Sequence, residues 1–88
     1  MFVNNKVLIK LTVPEIDETF DIFIPVNEVT WKIKKMLIKS VNDMTGSNFN
    51  LNNKILLIRK DSGRIYGNNE IIIDSDIRNA CELLLLTI

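Results

Sequence analysis

The stretch Ile71-Ile72-Ile73-Asp74-Ser75-Asp76-Ile77-Arg78-Asn79-Ala80-Cys81-Glu82-Leu83-Leu84-Leu85-Leu86-Thr87-Ile88 decides how the whole chain is read. It holds an apolar run, a polar turn with two aspartates, one isolated isoleucine and a closing run of leucines. A short run of this kind reads as a strand buried on at least one face. If that strand is central, everything before it must pack around it. The stretch names no reaction.

Two alternating segments lie at the other end of the chain. Val7, Ile9, Leu11 and Val13 alternate with Leu8, Lys10 and Thr12, the period of a strand with one strongly apolar face. Pro14 cannot donate to a ladder, so this strand should stop there, at a polar connection over residues 14–18. Alternation resumes over residues 19–25, with Phe20, Ile22 and Ile24 on one face and Asp21 and Phe23 on the other. Two such runs joined by a short loop predict an antiparallel hairpin.

The period then changes. Val29, Ile33, Met36, Leu37, Val41 and Met44 follow steps of three and four, which predicts a helix over about residues 28–44. Asn27 is the expected N-cap, Glu28 suits the positive end of the helix dipole, and Gly46 is a natural stop. A polar loop follows, in which Phe49 and Leu51 are expected to tuck under the sheet or the helix end. Residues 54–60 read as a third strand, Asp61-Ser62-Gly63 as a turn and Arg64-Ile65-Tyr66 as a short further strand. The helix should cross one face of the sheet, and the closing strand should lie parallel to the first, in the middle.

Composition limits what such a domain can do. The chain has 88 residues, 47% of them hydrophobic, which suits one small domain with one core. Its 11 basic and 11 acidic side chains cancel, which argues against a general nucleic-acid binder. The charges are unevenly placed. Glu15, Asp17, Glu18, Asp21 and Glu28 form an acidic region, and Lys32, Lys34, Lys35 and Lys39 a basic one. Both read first as solvated faces; the lysines could also steer an acidic partner or sit near an anionic membrane surface. One cysteine permits no intramolecular disulfide and fits a reducing compartment. The opening Met1-Phe2-Val3 meets Asn4-Asn5-Lys6 at once, so no signal peptide is expected. No apolar run approaches a membrane span, and no direct membrane insertion is expected.

The order strand, strand, helix, strand, short strand, strand matches the β-grasp fold, and the closing stretch makes the match specific. Ile73-Asp74-Ser75-Asp76-Ile77, then the step from Ile77 to Leu83, then alternating Leu83 and Leu85, resembles the end of ubiquitin. The run Leu57-Ile58-Arg59-Lys60-Asp61 to Ile65-Tyr66-Gly67, followed by Asp74 to Ile77, resembles more closely the bacterial ubiquitin-like proteins of the YukD type, linked to type VII (WXG100) secretion. The likeness covers the whole chain in order of elements, and in residues it holds from about Ile55 onward. It implies an α+β, ubiquitin-like β-grasp domain over residues 1–88. A four- to five-stranded mixed sheet would carry one helix packed across one face. It also implies a cytoplasmic, non-enzymatic interaction module whose protein partner is a component of a secretion apparatus, at the inner face of the membrane through that complex. Conjugated ubiquitin-like proteins and sulfur carriers resemble each other in a C-terminal Gly-Gly tail. Here the sequence runs to Leu86-Thr87-Ile88 with no glycine after Gly67, so a C-terminally modified carrier is the lesser reading, beside a purely structural or homodimeric domain.

Chemistry finds little footing in these residues. With no histidine, the usual acid/base at neutral pH and the commonest metal ligand are missing. One cysteine cannot build a zinc or iron–sulfur site. Cys81 has no activating base in sequence and reads as structural. Asp74 and Asp76 could pair for acid/base or metal chemistry, but read better as turn residues accepting backbone N–H bonds. No catalytic residue, cofactor, metal or small-molecule substrate is therefore expected. Surface remains. With Leu83 and Leu85 facing the core, Leu84 and Leu86 face the other side of the sheet, together with Leu8 and one alternating set from Ile55 to Ile58. Trp31 points away from the helix's core stripe, and Ile38, seven residues on, lies on its side with Lys34 and Lys35 between. Leu8, Leu84, Leu86, Trp31 and Ile38 are the candidate interaction residues.

Overall fold

The alternating segments form strands where the pattern places them. The computed structural model describes residues 5–88; the opening residues, read above as lacking a signal-peptide pattern, lie outside the described residues. Strand β1 (Lys6–Val13) and strand β2 (Glu18–Pro25) pair antiparallel, Lys6 opposite Pro25 and Val13 opposite Glu18. The connection is a single 3-10 turn, Pro14–Ile16, closed by Asp17 in the left-handed region at φ 53°. Helix α1 (Thr30–Thr45) follows, then β3 (Ile55–Arg59), a second 3-10 turn (Ile72–Asp74) and β4 (Glu82–Thr87). The four strands make one sheet in the order β2-β1-β4-β3. β4 runs parallel to β1 and antiparallel to β3, so the leucine run is central, as expected.

The helix lies on one face of this mixed sheet. Ile33, Leu37, Ile38 and Val41 close on Ile9, Leu11 and Val13 of β1, Ile24 of β2, Leu57 of β3, and Leu83 and Leu85 of β4. Met44 ends the predicted stripe but projects into solvent at 54% exposure. Phe49 packs against the core as expected; Leu51 does not, and stays exposed. Phe49 is held there by the Asn42 side chain. Its amide donates to the Phe49 C=O at 3.0 Å, and its oxygen accepts from the Phe49 N–H at 2.9 Å.

The helix starts later than its sequence pattern suggests. Asn27 is not the N-cap; Val29 stands there, in extended backbone and without a side-chain cap. The reason is competition from the returning chain. Val26 and Glu28 carbonyls accept from the N–H groups of Ile73 and Ile72, and Val29 bridges Ile71. These bonds hold residues 26–28 in a turn and bend and keep Val29 extended. The orphan N–H groups that a cap would serve are taken by tertiary carbonyls instead: Thr30 donates to Glu70 at 2.8 Å and Trp31 to Asn68 at 3.1 Å. The buried Thr30 hydroxyl adds a second donor to the Glu70 carbonyl at 2.7 Å. Gly46 ends the helix as expected, at φ 70°, with its N–H on the Asn42 carbonyl.

The predicted strand over residues 64–66 shrinks to one bridge, Ile58 to Ile65. Two bonds flank it: Arg59 N–H to the Arg64 carbonyl at 2.8 Å, and Tyr66 N–H to the Leu57 carbonyl at 3.0 Å. Gly63 at φ 73° makes the turn into it, and beyond Tyr66 the chain leaves β3 for the helix start. The sheet is therefore four-stranded.

Asp76 is the organising group of the aspartate turn, in a manner the sequence did not suggest. The backbone N–H acceptor in that turn is the Ser75 hydroxyl oxygen, which accepts from Ile77 N–H at 3.1 Å while its proton goes to the Ile72 carbonyl. Asp76 Oδ1 instead accepts from the buried Tyr66 hydroxyl at 2.6 Å and from Arg64 at 2.8 Å, and its carbonyl accepts from Arg59 at 2.8 Å. The Tyr66 hydroxyl, then Arg64, holds the Asp76 carboxyl below its ordinary value. Burial, reinforced by the bond to Asp76, pushes the Tyr66 hydroxyl up to about 12.

Both shifts carry a sign. The Asp76 contribution is complete above the ordinary carboxylate range and is lost as pH falls through its depressed value. The Tyr66 contribution is complete below its ordinary 10.0 and is lost as pH rises toward about 12, because the unfolded chain ionises first. Tyr66→Phe should lower stability by about 1 kcal/mol at neutral pH and remove the alkaline loss. Asp76→Asn should flatten the acid limb. Urea titrations at a series of pH values, followed by Trp31 fluorescence, measure all three effects.

Candidate protein-interaction site

Strand register fixes which side chains share the sheet face opposite the helix. Across β1 and β2 the outward pairs are Lys6 with Pro25, Leu8 with Phe23, Lys10 with Asp21 and Thr12 with Thr19. On β4 and β3, Leu84 stands opposite Ile58 and Leu86 opposite Leu56. The inward set on β3 is Ile55 and Leu57, both buried, which settles the parity the sequence left open.

Two apolar patches result, not one. Leu84, Leu86, Leu56 and Ile58 form a half-buried cluster, and Ile65, bridged to Ile58 and 57% exposed, extends it. Leu8 lies elsewhere. It pairs with Phe23, 60% exposed, toward the far end of the hairpin. A charged row separates the two. Asp21 faces Lys10, Lys10 faces Glu82, and Glu82 pairs with Lys60 at 3.9 Å. Leu8 is thus four residues along β1 from Thr12, the neighbour of Leu84, or about 13 Å at strand rise. Phe23 and Ile65 complete the patches, and sequence reading missed both. Only pairing register, Leu8 with Phe23 and Ile58 with Ile65, brings them in.

The helix candidates separate as well. Trp31 is 41% exposed, as expected, with the amino groups of Lys32 and Lys35 lying 5.6 and 5.4 Å from its ring centroid. Ile38 is a correction. It is fully buried, in the core with Leu37 and Val41, and offers nothing to a partner. The helix starts at Thr30 and sits so that its buried stripe runs through Thr30, Ile33, Lys34, Leu37, Ile38 and Val41. Lys34 was read with Trp31 on the outer side and is also inside that stripe, at 7% exposure. Trp31 instead flanks a groove of about 510 Å³, lined also by Lys34, Lys35, Leu51, Leu56 and Ile65.

Cys81 is buried between Ala80 and Glu82, and burial pushes its thiol up, away from the thiolate form a nucleophile needs. Among the described residues no group of three or more His, Cys, Asp or Glu side chains is placed to hold a metal ion. No helix of the described residues is long and apolar enough to cross a membrane.

No protein-family model matches the chain, and no curated protein matches it. Solved structures do. A chain of the MycP5-free ESX-5 inner membrane complex superposes with a TM-score of 0.79 at 13% identity; the match covers 96% of this chain but only 21% of that one, so this chain spans about a fifth of its length. The UBL domain of Plasmodium falciparum Dsk2 matches with a TM-score of 0.72 at 14% identity, over 94% of this chain and 99% of that one. The fold is the ubiquitin-like β-grasp. A chain of the toluene 4-monooxygenase HD complex with 4-bromobenzoate also has it, with a TM-score of 0.76 at 5% identity over 94% of this chain and 99% of that one. At such identities the likeness is one of architecture, and this architecture is carried by proteins of different kinds.

The two helix candidates should behave oppositely when truncated. Ile38→Ala removes a fully buried side chain and should cost about 2–5 kcal/mol. Trp31→Ala leaves no core cavity and should cost less than about 1 kcal/mol. Thermal unfolding followed by circular dichroism compares the two directly.

Proposed function

We propose that this chain is a non-enzymatic ubiquitin-like interaction module that serves a bacterial type VII (WXG100) secretion apparatus, as the YukD-type proteins it resembles do. It engages a protein component of that apparatus through the β3–β4 end of its outer sheet face. The observation that carries this reading is the cluster of Leu84, Leu86, Leu56 and Ile58, extended by the exposed Ile65, on the face away from the helix. Apolar side chains grouped in this way on a small domain mark a docking surface more often than scattered ones do. The fold shared with a chain of the ESX-5 inner membrane complex supports the choice of system. In this reading the module works in the cytoplasm, at the inner face of the membrane, and is held there by its partner.

Leu84 and Leu86 are half-buried, on the side of β4 opposite the core leucines. The double replacement Leu84→Asp with Leu86→Asp should therefore leave the far-ultraviolet circular dichroism spectrum unchanged and abolish pull-down of the secretion component from the native host. Unchanged pull-down sinks the assignment of this face. Sedimentation at several concentrations separates a hetero-partner from self-pairing: a wild-type dimer that the double replacement dissolves would give the patch to a second copy.

A further inference from the structure

The groove beside β3 combines three features that no intramolecular contact resolves. The first is an open strand edge. β3 gives its even-numbered residues to β4, since Lys60 N–H donates to Glu82 and the Lys54 carbonyl accepts from Ile88. Its odd-numbered residues turn their backbone groups to the opposite edge. There Arg59 and Leu57 are met by Arg64 and Tyr66. The chain then departs toward the helix start, where the Asn68 carbonyl takes the Trp31 N–H. Among the described residues no backbone bond reaches the N–H or C=O of Ile55 on that edge, and Ile55 lines the groove, whereas Leu57 is fully buried.

The second feature is charge. Lys34, Lys35 and Lys54 line the groove, and no carboxylate of the described residues does. Lys34 is 7% exposed, yet its amino group has only the Asn68 side-chain oxygen, at 2.7 Å, and no ion-pair partner among the described residues. Burial, and then repulsion from Lys54, lowers its pKa from the ordinary value. A nearly buried ammonium normally has a carboxylate beside it. The third feature is shape. Trp31, Leu51, Leu56 and Ile65 give the same groove apolar walls.

We infer that this groove binds an acidic, extended peptide segment that pairs with the open backbone groups of Ile55, with carboxylates on Lys34 and Lys35 and alternate apolar side chains against Leu56 and Ile65. The open edge supplies main-chain bonds, the lysines select the sign of charge, and alternation divides the two kinds of side chain between the helix side and the sheet side. This site shares Leu56 and Ile65 with the outer-face cluster but uses neither Leu84 nor Leu86, and the lysines and the Ile55 edge belong to it alone.

The probe is a fluorescein-labelled octapeptide of alternating Val and Glu, titrated against the full chain by anisotropy and by emission of the sole tryptophan, Trp31. Saturable binding should appear, with amide exchange slowed at Ile55. A Val/Lys octapeptide should bind at least about tenfold more weakly, since two like-charge contacts replace two ion pairs. Lys34→Met keeps the apolar stem and removes the charge. It should weaken the Val/Glu peptide about tenfold, with the folded spectrum retained. Equal affinity for the two peptides overturns the inference, as does a peptide whose exchange protection falls on β2. Loss of binding in the Leu84→Asp, Leu86→Asp protein with none in Lys34→Met would move the peptide to the outer face and also overturn it. A Trp31 response to phosphatidylglycerol vesicles and none to the peptide would make the lysines a membrane contact and equally end the proposal.

Discussion

Everything in this domain hangs on the parallel pairing of β1 with β4. The two strands are neighbours at the centre of the sheet, yet the Leu8 N–H and the Asn79 side-chain oxygen that tie their ends are 71 residues apart in sequence. Ala80 N–H to Leu8 and Lys10 N–H to Cys81 carry the pairing into the ladder. To make these bonds the chain must cross the sheet face as a helix and return. Ala80 accepts the left-handed region at φ 69°, which is unfavourable for a residue with a Cβ, so that β4 enters in register. Non-local closure of this kind is entropically slow to form, and the apolar surface it brings together must offset that cost.

That constraint explains the behaviour of the segment between β3 and β4. Residues 64–76 form almost no regular structure, yet they fasten three elements at once. Arg64 and Tyr66 hold β3, Asn68 and Glu70 hold the first turn of α1, and Ile72 and Ile73 hold the end of the hairpin. Tyr66 buries its ring and gives its hydroxyl to Asp76, which is also gripped by Arg64. Arg64 also reaches Glu70. The ion pairs are exposed and individually weak, but they share partners, and the shared partner is the acceptor of a buried tyrosine's hydroxyl.

Much of this was legible in the sequence, for identifiable reasons. Strict alternation in Val7–Val13 and Phe20–Ile24 gave both hairpin strands, the Leu83–Leu86 run gave the central strand, and Gly46 gave the helix end. What could not be read was set by partners distant in sequence. The helix start moved because Glu70 and Asn68, not Asn27, serve its N–H groups. Ile38 looked outward by its spacing from Trp31, but the apolar arc that the sheet covers is wide enough to include both Lys34 and Ile38. The separation of Leu8 from Leu84 depends on register alone, and alternation within one strand says nothing about register. The edge groove was invisible for the same reason: Lys34 resembles its neighbours Lys32 and Lys35 in sequence and differs from them only in what covers it.

The charged row across the outer face has a meaning beyond dividing two apolar patches. Read across the strands, Asp21, Lys10, Glu82 and Lys60 alternate in sign. Sliding β1 by two residues in either direction would keep every side chain on its proper face, so hydrophobic patterning alone does not forbid it. Such a slip would set Leu8 or Thr12 between Asp21 and Glu82 and strand Lys10 beside an uncharged neighbour. The row therefore works as a vernier. Burial chooses the face of each strand, and alternating charge adds a preference for its native position along the strand.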